Sequence, residues 1–166
     1  MIDIAKLSSR YDVRPVREQD ANEVYELCRG NPQYYRYREQ GPTFKQILRD
    51  LHLTPPGINE NDKYYVGFYD GGALFAVMDL IDGYPDREHA YIGFFMMAKA
   101  CQGRQIGSGI VREVCLYLKD AGFSFVRLAI DKGNPQSSHF WAKNGFAVVK
   151  EAKQGSHTLL VAEKAL

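Results

Sequence analysis

Between Gly107 and Ala121, apolar Ile110, Val111, Val114, Cys115 and Leu118 recur at spacings of three and four, while Arg112, Glu113, Lys119 and Asp120 face elsewhere. That period makes an amphipathic helix, and Gly122 supplies its stop. The flanking runs, His89 to Met97 and Phe123 to Ile130, are short and rich in β-formers, so they read as strands. A strand, helix, strand succession brings the chain back parallel to itself through a right-handed crossover. Residues 89 to 130 therefore predict one parallel pairing, and the rest of the fold must be built around it.

The remaining segments predict antiparallel neighbours. Tyr11 to Val16 reads as a short strand. Asp20-x-x-Glu23 then reads as a capping box opening a helix with Val24, Tyr25 and Cys28 on one face, ended by Gly30 and Pro32. A second start at Thr43-x-x-Gln46 leads into Phe44, Ile47, Leu48 and Leu51, with Pro55-Pro56-Gly57 as the expected stop. Between these helices, Asn31 to Gly41 is a loop dense in tyrosine and arginine. Lys63 to Tyr69 and Ala73 to Ile81 flank Asp70-Gly71-Gly72 and predict a hairpin. Asn134-Pro135 places an N-cap and an N1 proline before a short helix that Gly145 ends. Strands near Phe146 to Glu151 and Thr158 to Lys164 complete the order β-α-α-β-β-β-α-β-α-β-β. The expected class is α/β: one domain over 1–166 with a mixed, largely antiparallel sheet flanked by helices.

Composition narrows the function. Lysine and arginine total 21 against 20 acids, a net charge of +1, so no general field attracts nucleic acid or a membrane surface. A small-molecule or peptide partner is expected instead. The apolar run Ala90 to Ala98 is far short of the ~20 residues that span a bilayer, and charges interrupt Met1 to Arg10 where a secretory signal would be apolar. Cys28, Cys101 and Cys115 have neither a CxxC nor a histidine-paired spacing, so neither a disulfide framework nor a metal site is expected. A cytoplasmic location follows as an expectation. The oligomeric state is open, a homodimer included.

The segment Gln102-Gly103-Arg104-Gln105-Ile106-Gly107-Ser108-Gly109 carries the chemistry. It lies between a strand and a helix and is poor in bulky side chains, which gathers free backbone N–H groups at a helix N-terminus and favours phosphate oxygens. A glycine-rich turn without a ligand is the plain alternative. Arg104 can pair with a pyrophosphate at that mouth. A nucleoside triphosphate is disfavoured because GxxxxGK[ST] is absent. Gly103-x-x-x-Gly107-x-Gly109, with Asp131 after the next strand, also fits the glycine pattern of a nicotinamide-dependent oxidoreductase. That reading ranks second, since little chain remains for more parallel strands and no Tyr-x-x-x-Lys pair exists.

Met97, the run Gln102 to Gly107, Leu128, Asn134 and Phe140-Trp141-x-x-x-Gly145-Phe146 together resemble the GNAT N-acyltransferase superfamily, whose signature loop is Gln/Arg-x-x-Gly-x-Gly/Ala. Read from Gln102, Gln105 stands where the first glycine belongs and is expected to need a backbone conformation open to a side chain; read from Arg104, the glycines are Gly107 and Gly109. The Gln102 register keeps the usual distance to Met97. The resemblance implies a GNAT-like acyl-CoA N-acyltransferase fold with acetyl-CoA as cosubstrate. It implies that the strand ending at Met96-Met97 splays from Phe123 to Ile130 and that the pantetheine arm lies in the gap. Gln102, Gly103, Arg104, Gln105, Gly107, Ser108, Asn134 and Phe140 would complete the coenzyme site, with Asn134 also able to cap its helix.

By the same resemblance, the position many relatives give to a tyrosine acid is Trp141, whose indole donates a hydrogen bond but releases no proton near neutrality. A thiol with a reference pKa of ~8.5 leaves tolerably as thiolate. The position some relatives give to a carboxylate base holds Tyr91, with Glu88 and His89 just before it as alternatives or as plain surface residues. Tyr34, Tyr35 and Tyr37 would wall the acceptor, Tyr84 would close the other side, and Asp79, Asp82 and Asp86 would attract an ammonium. The implied reaction is direct attack of an amine on a bound thioester. A non-catalytic acyl-CoA sensor on the same fold is the remaining alternative.

Overall fold

The computed structural model describes residues 1–166. The β-former runs become β1 (Asp12–Pro15), β2 (Lys63–Asp70), β3 (Ala73–Asp82), β4 (His89–Met97), β5 (Phe125–Asp131), β6 (Ala147–Gln154) and β7 (His157–Ala165). The helices are α1 (Ala21–Arg29), α2 (Pro32–Tyr35), α3 (Phe44–Asp50), α4 (Ile106–Asp120) and α5 (Pro135–Lys143). One seven-stranded sheet takes the order β1-β2-β3-β4-β5-β7-β6. Only β4 and β5 run parallel, as the strand, helix, strand succession requires. Because β7 and β6 return antiparallel, the further parallel strands of a dinucleotide-binding sheet are absent, and the nicotinamide reading falls.

The sheet separates two apolar layers. Phe68, Met78, Leu80 and Leu128 pack with Ile110, Val114 and Leu118 of α4 and with Trp141 of α5, whereas Tyr65, Val77 and Met96 pack with Val24 and Cys28 of α1 and Ile47 of α3. Alternation along β2 and β3 sends neighbouring residues to opposite layers. The turn between these strands uses Gly71 and Gly72 at φ 56° and 82°, the pair of positive values that a tight hairpin demands.

Three local expectations need correction. Asp20 does not cap α1; its carboxylate accepts from the Arg17 N–H at 2.9 Å and closes a preceding 3-10 turn, Glu18–Asp20. The helix opened by Thr43, whose hydroxyl does accept from the Gln46 N–H, ends at Asp50 well before the prolines and leaves Phe44 exposed. The tyrosine-rich loop contains the single turn of α2, begun by Pro32.

Candidate active site

The parallel pairing stops short. His89 to Ile92 pair with Phe125 to Leu128, but Gly93 to Met97 have no partner on β5, although β4 stays paired with β3 to its end. A bulge produces the divergence: Asp79 faces Phe94 and Leu80 faces Ile92, so Gly93 is the additional residue. A Cβ on residue 93 would lie 2.7 Å from Asp79 Oδ2, so any larger residue there would have to displace that carboxylate. A glycine inside a strand pattern is a bulge signal, and it is the feature of β4 most easily overlooked in the sequence. Beyond the bulge the β5-facing backbone groups of β4 lack a strand partner, and a cavity of about 280 Å³ opens between β4, β5, α5 and the start of α4.

The mouth of that cavity is the glycine-rich loop. None of the backbone N–H groups from Gly103 to Ser108 is donated to a protein acceptor. Gln105, the residue before α4, takes φ 61° and ψ 9°. It was expected to use an ordinary backbone conformation; it instead adopts the left-handed geometry favoured by glycine, the kind found in anion-binding nests of backbone N–H groups. Gly107 is required for close approach, because a Cβ there would lie 2.7 Å from Met97 Sδ and 3.2 Å from Phe140. Arg104 is exposed and makes no ion pair, and Lys99 and Lys143, not expected from sequence, line the cavity.

The end of β4 is pinned by two side chains that also line the cavity. The Met97 carbonyl accepts from Asn31 Nδ2 at 3.0 Å and from Gln102 Nε2 at 2.9 Å, and Gln102 also donates to Asn31 Oδ1 at 2.6 Å. The Gln102 side chain is thus turned inward to hold the strand. Asn31 had no sequence signal beyond its place after a helix.

A second cavity of about 260 Å³ adjoins the first, and both are lined by Tyr34, Gly93, Phe94 and Ala129. Its walls include Tyr35, Tyr65, Tyr91, Asp50 and Asp79. Asp79 accepts from Lys63 Nζ at 2.7 Å through both oxygens, with side-chain exposures of 13% and 2%. Burial raises the Asp79 carboxyl above its ordinary value even with Lys63 opposing it. Burial likewise pushes the Tyr91 phenol to about 12, and Tyr34 and Tyr35 are raised for the same reason. Arg38 joins the loop to the sheet, donating to Tyr34 Oη at 2.7 Å and pairing with Asp131 at 3.2 Å.

The sequence matches the acetyltransferase (GNAT) family over residues 21–146. The chain belongs to the GNAT acetyltransferase family. No curated protein matches the sequence. The fold of this GNAT protein is similar to that of an acetyltransferase from Thermus thermophilus, with TM-score 0.75 and 22% identity, covering 94% of this chain and 97% of the other. It is similar to the PaiA N-acetyltransferase of Thermoplasma acidophilum in complex with coenzyme A, with TM-score 0.68, 17% identity and coverage of 94% and 99%. The Salmonella typhimurium acetyltransferase that modifies the N-terminal serine of ribosomal protein L7/L12 superposes with TM-score 0.74, 14% identity and coverage of 99% of each chain. Acetyl-CoA is the cosubstrate of the GNAT family, and the reaction is N-acetyl transfer. The unpaired N–H groups, the opened seam and its cations fit the diphosphate and pantetheine of that molecule.

Within the GNAT site the expected residues are unequally placed. Met96, Met97, Gln102, Gly103, Gln105, Gly107, Ser108, Phe140 and Trp141 line the first cavity, while Tyr34, Tyr35, Asp79 and Tyr91 line the second. Trp141 packs edge-on to Phe140 and Phe146 at 4.9 and 5.1 Å, so its ring is a wall. Asn134 is buried, accepts from the Ser137 N–H at 3.2 Å as the cap of α5, and lies outside the lining. Tyr37 and Tyr84 line neither cavity; Tyr84 stands edge-on behind Tyr91 at 5.2 Å. Glu88 and His89 are not brought to the site, because Glu88 precedes β4, His89 begins it, and the opening is at its other end. His89 is also not a surface residue: it is buried, stacks on Phe125 at 4.9 Å, and meets Asp86 at 2.7 Å and Glu163 at 3.2 Å.

Proposed function

We propose that this protein transfers acetyl from acetyl-CoA to a primary amine of a small molecule or peptide, with the coenzyme in the first cavity and the acceptor in the second. The observation that carries the reading is that the two cavities share the walls Tyr34, Gly93, Phe94 and Ala129, so two ligands would meet where β4 leaves β5. Acetyl-CoA supplies an acyl group activated as a thioester. The N–H groups of Gly103 to Ser108 hold the diphosphate, with Arg104, Lys99 and Lys143 adding charge. The freed edge of β4 at Met96 and Met97 takes the pantetheine arm as a strand would be taken, and an N–H there polarises the thioester carbonyl. Phe140 and Trp141 exclude water, and Trp141 has no transferable proton. Tyr34, Tyr35 and Tyr91 wall the amine.

The acceptor class rests on the tyrosine-lined second cavity and on a net charge of +1, which gives no pull on nucleic acid. The free cysteines are compatible with a reducing compartment such as the cytoplasm. No helix is long and apolar enough to cross a membrane. The test is calorimetry with acetyl-CoA together with thiol release over a panel of alkylamines, diamines and short peptides. Saturable binding and release with at least one amine are expected. Binding with no release from any amine would favour a sensor, and no binding would remove the reading.

A further inference from the structure

Resting on that reading, we propose that Asp79 is the residue that takes the proton from the incoming ammonium, and that Lys63 positions it. Among the carboxylates and imidazoles lining the two cavities, Asp131 lines only the first, Asp50 lies against Arg49 with a side chain 37% exposed, and His139 is exposed on α5. Asp79 lines the second cavity and lies directly against Gly93, a wall the two cavities share. It is paired in register with Phe94, and its carboxylate covers the Cα of Gly93, so the glycine bulge that opens the seam is also the space this carboxylate occupies.

The groups facing Asp79 define its chemistry. Lys63 and Tyr65 face it from β2, Tyr91 from β4, and Asp50 from α3. Lys63 holds both oxygens in one orientation, and burial leaves the carboxyl easier to protonate than an exposed one. In the step, one ammonium proton passes to an Asp79 oxygen and frees the nitrogen lone pair, which forms the N–C bond as the carbonyl π pair moves to oxygen. The oxyanion pair then re-forms the carbonyl as the C–S bond breaks with its electron pair on sulfur, the second nitrogen proton passes to that sulfur, and Asp79 returns its proton to solvent. Lys63 keeps its protons throughout.

The experiment compares the unaltered protein with Asp79→Asn and Lys63→Met, using propylamine, which is charged near neutrality, and hydroxylamine, which is neutral there. Acetyl-CoA affinity by calorimetry, thermal unfolding and thiol release are read for each protein. For Asp79→Asn, the expected result is unchanged acetyl-CoA affinity, a loss of about 100-fold or more in kcat/KM for propylamine, and less than about tenfold for hydroxylamine. In the unaltered protein kcat/KM rises with pH through the Asp79 titration, and Lys63→Met moves that rise to higher pH because a cation has gone. Independently of turnover, a carbon-13 signal from the Asp79 carboxyl of the ligand-free protein titrates above the ordinary carboxylate range. Equal losses for both nucleophiles, propylamine turnover within threefold of the unaltered protein, or an ordinary carboxyl titration would each overturn the assignment. Failure of the unaltered protein to bind acetyl-CoA would instead overturn the acetyl-transfer reading beneath it.

Discussion

At the scale of single residues, the loop at α4 combines a useful geometry with a cost. Gln105 occupies the left-handed region at φ 61°, where an L side chain costs roughly 1–2 kcal/mol. Glycine has no such penalty but gives the unfolded chain more freedom. Gln105→Gly is therefore expected to raise stability by roughly 0.5–1 kcal/mol in urea unfolding while leaving acetyl-CoA affinity within a few-fold, whereas β-branched Gln105→Val is expected to lower both. A destabilised Gln105→Gly variant would show that the side chain supports the loop in some further way. The signature motif was legible here because it consists of small residues close in sequence. The conformation of Gln105 was not, because a left-handed φ at a glutamine runs against its local preference.

At the scale of elements, the opened end of β4 needs support from something other than a neighbouring strand. Asn31, 7% exposed, donates to the carbonyls of Leu27 at 2.9 Å and Met97 at 3.0 Å, so one side-chain amide ties the end of α1 to the end of β4. Asn31→Ala leaves buried acceptors underused and is expected to cost roughly 1–3 kcal/mol. It is also expected to weaken acetyl-CoA binding by several-fold in calorimetry, because the strand edge that holds the arm loses its anchor. A loss of stability with unchanged affinity would mean that Gln102 alone is sufficient to hold the edge. The hairpin of β2 and β3 was readable from Asp70-Gly71-Gly72, since turn chemistry is local. The end of the short α3 was not: its periodic apolar pattern continued past Asp50 to Leu51, which packs in the same layer as Ile47 although it lies beyond the helix.

At the scale of the whole molecule, the proposed coenzyme site joins the two apolar layers. Met97, Phe140 and Trp141 belong to the α4 layer, and Met96, Tyr34 and Phe94 to the α1 layer. A ligand bridging both is expected to stabilise the folded chain as one unit. At one hundred times its dissociation constant, acetyl-CoA should add ~2.7 kcal/mol. At roughly 2–4 °C per kcal/mol for a chain of this size, Tm should rise by about 5–10 °C in a thermal scan, and NAD at the same concentration should leave it unchanged. A rise with NAD and none with acetyl-CoA would contradict the site.

The sequence by itself determined the period of each element, the crossover that makes β4 and β5 parallel, the glycine-rich helix start and the family pattern around them. Those follow from spacings within a few turns of chain, where propensity and capping act. Tertiary structure decided where the parallel pairing stops, which acids reach the opening, and that His89 is buried while Glu88 is not. Asp79 meets Lys63 across β2 and β3, and Arg38 meets Asp131 from a loop far away in the chain. Such pairs exist only once the sheet is assembled, because register and burial, rather than local preference, set which side chains share a cavity.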